Sequence, residues 1–102
     1  MKKYNVIVVF EKDLNRTLMC KRTKEPYKGM FNLVGGKFDK ENDGLNEAYR
    51  ELREETNINC DDISLIHFMN IEYVTMGKSI EVYYGILNKD VCLVEEVNKL
   101  EW

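Results

Sequence analysis

The chain has 102 residues, 44% of them hydrophobic, and a net charge of −3 from 15 basic and 18 acidic side chains; this suits one domain around one core, and the lack of a basic excess excludes a general nucleic-acid binder. No apolar run approaches the ~20 residues of a membrane span, and Met1-Lys2-Lys3 leads directly into a strand-like pattern, with no secretory apolar region. Cys20, Cys60 and Cys92 are isolated and without a Cys-x-x-Cys pair, which argues against a zinc site and fits reduced thiols in the cytoplasm.

Residues 4–10 (YNVIVVF) are short and β-branched and predict a buried strand. Residues 11–15 are a polar turn, and residues 17–22 predict a second strand, paired with the first as a hairpin. Residues 23–29 form a basic loop containing Pro26, the only proline, and Lys21, Arg22, Lys24 and Lys28 cluster around it. Residues 30–34 are a short apolar piece leading into a Gly35-Gly36-Lys37 turn. Asp43 is the expected N-cap of a helix that runs to Thr56. Residues 63–74 predict a strand, 76–78 a turn, and 79–87 its antiparallel partner. After a turn at 88–90 the pattern is mixed to Trp102. The order β-β-β-α-β-β fits an α/β fold with a mixed sheet, and no repeat or linker divides residues 1–102.

The helix carries the strongest chemical signal. Each helical residue turns by about 100°. With Glu51 at zero, Glu47 falls near −40°, Glu54 near −60° and Glu55 near +40°, by roughly the same period. These carboxylates share one face, while Leu45, Ala48, Tyr49 and Leu52 fall on the other and suit burial. Like charges at i,i+4 weaken a helix, so such a face calls for a cation; a hard ion such as Mg²⁺ would remove the repulsion. The competing reading is a solvated charged face.

Gly36, five residues, position 42, seven residues, then Arg50-Glu51-Leu52-Arg53-Glu54-Glu55-Thr56-Asn57-Ile58 resembles the Nudix box, Gly-x5-Glu-x7-Arg-Glu-U-x-Glu-Glu-x-Gly-U, with U a bulky aliphatic. Two positions depart from it. Asn42 stands in place of the first Glu, beside Glu41, and removes a carboxylate that supports the metal cluster. Asn57 stands in place of the closing Gly, and Asn is the next most tolerant of the left-handed conformation that ends a helix.

The resemblance implies a Nudix-type α/β/α sandwich and hydrolysis of a nucleoside diphosphate linked to another group, with Mg²⁺ or Mn²⁺. It implies Glu51, Glu54, Glu55 and the Gly36 carbonyl as metal ligands. Glu51 or Glu54 would orient or deprotonate the water, and Arg50 would orient the adjacent glutamate by ion pairing. Glu47 matches no box position and reads as a peripheral charge; Arg53 reads as solvent-facing. Lys37 would touch a phosphate or the helix carboxylates. Arg22, at the end of the second predicted strand, is by its own chemistry a candidate phosphate contact, with a surface arginine as the competing reading. Phe31-Asn32-Leu33-Val34-Gly35-Gly36-Lys37 is similar to the Trp-Asn-x-x-Gly-Gly-Lys run of members that clean oxidised purines from the nucleotide pool. There the Asn reads the base, an amide being both donor and acceptor; Phe31 replaces the Trp. Glu95 or Glu96 is a candidate for a further carboxylate, with loop solvation as the plainer reading. His67 reads as a core histidine, and Tyr73, Tyr83 and Tyr84 as sheet packing.

Family members continue past a pair like Glu101-Trp102 into a second helix. A single domain shortened at its C-terminus is therefore the expectation, and an uncovered apolar sheet face would be an association site, leaving room for a homodimer. The leading functional expectation is cleavage of a nucleoside triphosphate, purine favoured and oxidised purine included, to monophosphate and pyrophosphate. The partner is then a small nucleotide, with no nucleic-acid polymer and no membrane. The alternatives are a nucleoside diphosphate sugar or dinucleotide polyphosphate as substrate, or a non-catalytic module that binds a nucleotide or a partner. The lack of proline after Pro26 disfavours the ADP-ribose branch.

Overall fold

Burial alternates along the first strand, β1 (Lys2–Phe10), where Asn5, Ile7 and Val9 are buried and their neighbours are partly open. That period of two is what a strand with one covered face requires. The structure is a computed structural model and describes residues 2–23, 25, 27–39, 43–95 and 99–102. Asn42, Glu41 and Glu96 lie outside the described residues.

Chain order continues with β2 (Met19–Lys21), β3 (Phe31–Asn32), β4 (Val34–Phe38), α1 (Gly44–Thr56), β5 (Ile66–Tyr73), β6 (Lys78–Ile86) and β7 (Lys99–Glu101). One sheet runs β4-β1-β6-β5 and a second runs β3-β2-β7. In the first, β1 is antiparallel to β4 and parallel to β6, and β5 is antiparallel to β6. The fold is thus mixed α/β with a mixed sheet. Among the described residues α1 is the only α-helix, and it lies against β4 and β1. No described helix is long and apolar enough to cross a membrane.

The core lies where α1 meets the strands. Ile7, Val9, Leu18, Val34, Ala48, Leu52 and Ile63 are fully buried there. Each large aliphatic side chain withdrawn from water contributes roughly 1.5–3 kcal/mol. Ala48 and Leu52 confirm the apolar face of the helix, and Tyr49 accepts the Leu65 N–H on its hydroxyl at 2.8 Å. Leu45 does not follow them: it sits in the first helical turn and is 37% exposed.

Both helix ends form as their residues dictate. Asp43 Oδ1 accepts from the Leu45 N–H at 3.2 Å, satisfying a donor that the helix itself leaves open. Asn57 takes φ 67° and ψ 16°, and its N–H reaches the Arg53 carbonyl at 2.9 Å. Asn therefore serves where the motif has Gly.

Four expectations change. The chain does turn back after β1, with the Leu18 N–H on the Val9 carbonyl at 2.9 Å. Beyond the Phe10–Thr17 bridge, however, β2 leaves the hairpin for the second sheet. Gly35-Gly36-Lys37 is not a turn but part of β4, paired with Val6, Asn5 and Tyr4. The mixed C-terminal stretch contains β7, which pairs with β2. His67 is not a core residue: it lies exposed on β5, stacked on Tyr83 at 4.8 Å and bonded through Nε2 to Asn70 Oδ1 at 2.6 Å. Every residue of β5 is exposed, including Ile66, Phe68, Met69, Ile71 and Tyr73. This edge strand therefore presents several apolar side chains to solvent.

Candidate active site

The carboxylate face of α1 is held together by one cation. The Arg50 guanidinium donates from Nε to Glu47 at 2.8 Å and from Nη2 to Glu47 at 2.5 Å. It also donates from Nη2 to Glu51 at 3.0 Å and from Nη1 to Glu54 at 2.7 Å. The bond to Glu47 is the first of the causes that raise the Arg50 pKa further above its ordinary value. Glu47 is therefore no peripheral charge but the main partner of Arg50. Partly exposed pairs of this kind contribute about 0.3–1 kcal/mol each, so their chief effect is on orientation. Arg53 is exposed, as its free motif position suggests.

Glu55 stands on the inner side of the same face. Its carboxyl is pushed up to about 7, first by burial and then by the charge of Glu51, to which it is also hydrogen-bonded; a bond from the Gly35 backbone pulls the other way. Two carboxyl groups in hydrogen-bond contact hold a proton or a cation between them. Cys20, from β2, feels the same charge: its thiol is raised to about 11 by burial and then by Glu55.

The glycines of β4 permit this approach. A Cβ on Gly36 would lie 3.2 Å from both carboxylate oxygens of Glu51. Gly35 has φ 152°, and its Cβ would lie 2.1 Å from the Asn5 carbonyl oxygen. Asn5 in turn accepts the Gly36 N–H on Oδ1 at 2.9 Å. The β4 backbone is thus pinned between β1 and the helix carboxylates.

The donors fit a hard divalent cation in kind: Glu51 and Glu55 already share a contact that needs a positive partner, Glu54 sits one turn away, and the Gly36 backbone is adjacent. Among the described residues, no three acidic, histidine or cysteine side chains stand close enough to hold an ion as they are, since Glu54 and Glu47 turn toward Arg50. The raised Glu55 carboxyl has a consequence for metal-free protein. The folded state keeps a proton between about 4.5 and 7 that the unfolded state has lost, so stability falls as pH rises through that window. With a chelator present, the melting temperature should be higher at pH 5.5 than at pH 7.5. Added Mg²⁺ should raise it more at pH 7.5, where no proton competes. A metal-induced shift larger at pH 5.5 would remove Glu55 from the ligand set.

Beside the helix, Lys37, Phe38, Asp39, Glu47 and Arg50 line an opening of about 450 Å³. Lys37 also lines a second cavity, of about 370 Å³, with Arg22, Asn32, Gly35 and Gly36. The structure thus brings Arg22, Asn32, Gly36 and Lys37 to one place. Phe31 is not in that wall; its ring lies beside Lys21, 5.7 Å from Nζ. Glu95 accepts the Leu100 N–H at 3.0 Å and serves the loop. Tyr73, Tyr83 and Tyr84 do not line the cavity; Tyr83 donates to Glu81 and Tyr84 packs edge-on against Phe68.

Sequence reasoning missed Tyr4, Asn5 and Lys78, which complete the wall. Asn5 left a signal: it is the one polar residue at a core-facing position of an otherwise apolar strand. Tyr4 and Lys78 left none, since their neighbourhood depends on the pairing of β1 with β6.

The NUDIX domain family profile matches residues 1–100. No curated protein sequence matches the chain. Among solved structures, the chain is similar to the E. coli dihydroneopterin triphosphate pyrophosphohydrolase, with a TM-score of 0.79 and 16% identity over 98% of this chain and 78% of that one. It is similar to a C. elegans Ap4A hydrolase, with a TM-score of 0.77 and 20% identity over 97% and 77%. It is also similar to the NUDIX domain of Shewanella oneidensis NrtR complexed with ADP ribose, with a TM-score of 0.74 and 17% identity over 98% and 70%.

Proposed function

The chain belongs to the Nudix family of hydrolases, and from that premise we propose that it cleaves a nucleoside triphosphate to monophosphate and pyrophosphate with the help of Mg²⁺ or Mn²⁺. The observation that carries this reading is the carboxylate face of α1, with the Glu51 carboxylate against the Gly36 backbone, beside a cavity that gathers Arg22 and Lys37 and, among the described residues, no carboxylate. Glu51, Glu54, Glu55 and the Gly36 carbonyl would hold the ion. When bound, it would screen the polyphosphate charge and make a coordinated water more acidic.

Each remaining role belongs to a side chain. Arg22 and Lys37 bind phosphate oxygens, Lys37 from the strand between the two openings. Arg50 fixes Glu51 and Glu54 in orientation. A water oxygen attacks phosphorus, the anhydride bond breaks with its electrons going to the leaving pyrophosphate, and the water's proton passes to a helix carboxylate. Three free thiols and a nucleotide substrate suit the cytoplasm.

Pyrophosphate release from a nucleotide panel, with Mg²⁺ and with Mn²⁺, tests the reading. The expected result is release from at least one triphosphate, together with a metal-dependent rise in melting temperature. A panel that includes a nucleoside diphosphate sugar and a dinucleoside polyphosphate separates the other substrate classes by their products. No turnover of any compound and no melting shift with either ion would leave a non-catalytic module instead.

A further inference from the structure

We propose that two copies of this chain join along the outer edge of β5, where the segment Met69–Tyr73 pairs antiparallel with itself across a two-fold axis at Ile71. β5 ends the four-stranded sheet: one of its edges pairs with β6, and the other meets no described strand. All eight of its residues are exposed. Backbone N–H and C=O groups along such an edge are a template for a further strand, and proteins commonly block it with lysine, proline or a bulge. β5 contains neither lysine nor proline. Its one irregularity lies between His67 and Met69. The five residues after that point keep an unbroken register with β6, from Met69 opposite Val82 to Tyr73 opposite Lys78.

The residues of this segment specify the occupant. Side chains alternate between the two faces of a strand, and a two-fold axis through the sheet sets each residue opposite one of its own face. With the axis at Ile71, Met69 meets Tyr73 of the second copy, Ile71 meets its own equivalent, and Tyr73 meets Met69. These are thioether–aromatic and aliphatic cross-strand pairs. On the other face Asn70 meets Glu72. Asn70 Oδ1 is already bonded to His67 Nε2 at 2.6 Å, and its NH₂ is left to donate to the Glu72 carboxylate. Neighbouring registers fit less well. An axis at Asn70 sets Phe68 against Glu72, and an axis at Glu72 sets two carboxylates face to face.

Met69, Ile71 and Tyr73 remain between 36% and 45% exposed in the single chain, so pairing withdraws apolar surface from water as well as satisfying the strand edge. Ile71 also lies opposite Ile80, which lines the 370 Å³ cavity. The seam therefore runs one strand away from that wall. Two four-stranded sheets become one continuous sheet, with both cavities on the same face.

Sedimentation equilibrium from about 10 μM to 1 mM, a range suited to a small interface, tests for the dimer. The mass should rise with concentration from 12.1 kDa toward twice that value. Ile71→Lys sets two like charges together on the axis and should weaken association at least about 10-fold, with a melting curve close to wild type in dilute solution. Cross-linking under diamide reads the register even if that variant fails to fold. In a background with the exposed Cys60 and Cys92 replaced by serine, Ile71→Cys should form a disulfide with its own copy, since opposite Cα atoms lie about 4.5–5.5 Å apart. Glu72→Cys alone should not, because its own copy is a diagonal neighbour about 7–8 Å away. A mixture of Asn70→Cys and Glu72→Cys chains should cross-link as a heterodimer.

A single 12.1 kDa species across the whole range would overturn the proposal. A dimer that Ile71→Lys leaves intact would also overturn it, because the contact would lie on another surface. Cross-linking of Glu72→Cys but not of Ile71→Cys would rule out the axis at Ile71.

Discussion

Glu51→Gln and Glu54→Gln should each lower kcat by roughly 100-fold or more while leaving the fold intact. An ion that stabilises the charge developing on the phosphates contributes several kcal/mol, and about 1.4 kcal/mol is a factor of ten. A neutral amide keeps the shape of the carboxylate but is a poor ligand for a hard cation. Stability should survive for a local reason. When Glu54 is changed, Arg50 still holds Glu47 and Glu51. When Glu51 is changed, its amide can donate to Glu55, and one like charge disappears from the pair. Metal-free Glu51→Gln should therefore melt no lower than wild type at pH 7.5, and its response to Mg²⁺ should shrink. Arg53→Gln, at an exposed helix position, is the control and should keep wild-type turnover. Full activity in both glutamate variants would mean that the carboxylates are a solvated face held together by Arg50.

The parts of this protein that depend on neighbours in sequence were the legible ones. Asp43 and Asn57 mark the helix ends through local hydrogen bonds and a local conformation. The carboxylate face follows from the helical period, and the apolar side of the helix from the same period, except at Leu45 in the first turn, which is exposed. Long-range pairing was not legible. The departure of β2 into a second sheet and its pairing with Lys99–Glu101 leave no trace in either segment's own pattern. The site divides in the same way. Asn32, Gly36 and Lys37 were found through a motif and Arg22 through its place at the end of a predicted strand, whereas Tyr4 and Lys78 meet the cavity only because β1 lies between β4 and β6. Glu47 was misjudged because an ion pair three residues away, to Arg50, decides its role and the motif assigns it none.

The glycine pair offers a sharper contrast, because two adjacent positions should fail in different ways. Gly35→Ala should destabilise the fold by about 3 kcal/mol or more, combining steric overlap with a strained backbone. The added Cβ would lie 2.1 Å from the Asn5 carbonyl oxygen, which belongs to the central strand of the sheet and is not free to yield. For a domain near 100 residues, ~1 kcal/mol moves the melting temperature by about 4–8 °C, so a drop of roughly 12–24 °C is expected. Gly29→Ala calibrates the backbone part: its φ of 84° is also unfavourable to alanine, but nothing lies within 4 Å of the added carbon. That variant should lose only about 1 kcal/mol, and the difference measures the collision. Gly36→Ala should behave otherwise. Its Cβ meets the Glu51 carboxylate at 3.2 Å, the far end of a side chain that can shift by a few tenths of an ångström. The protein should stay folded with a modest loss of melting temperature, and its response to Mg²⁺ should weaken because Glu51 has been displaced. If Gly35→Ala melts with Gly29→Ala, then β4 can move away from β1 and the close packing of this strand is not what places the carboxylates. If Gly36→Ala keeps the full metal response, the Gly36 backbone does not border the ion.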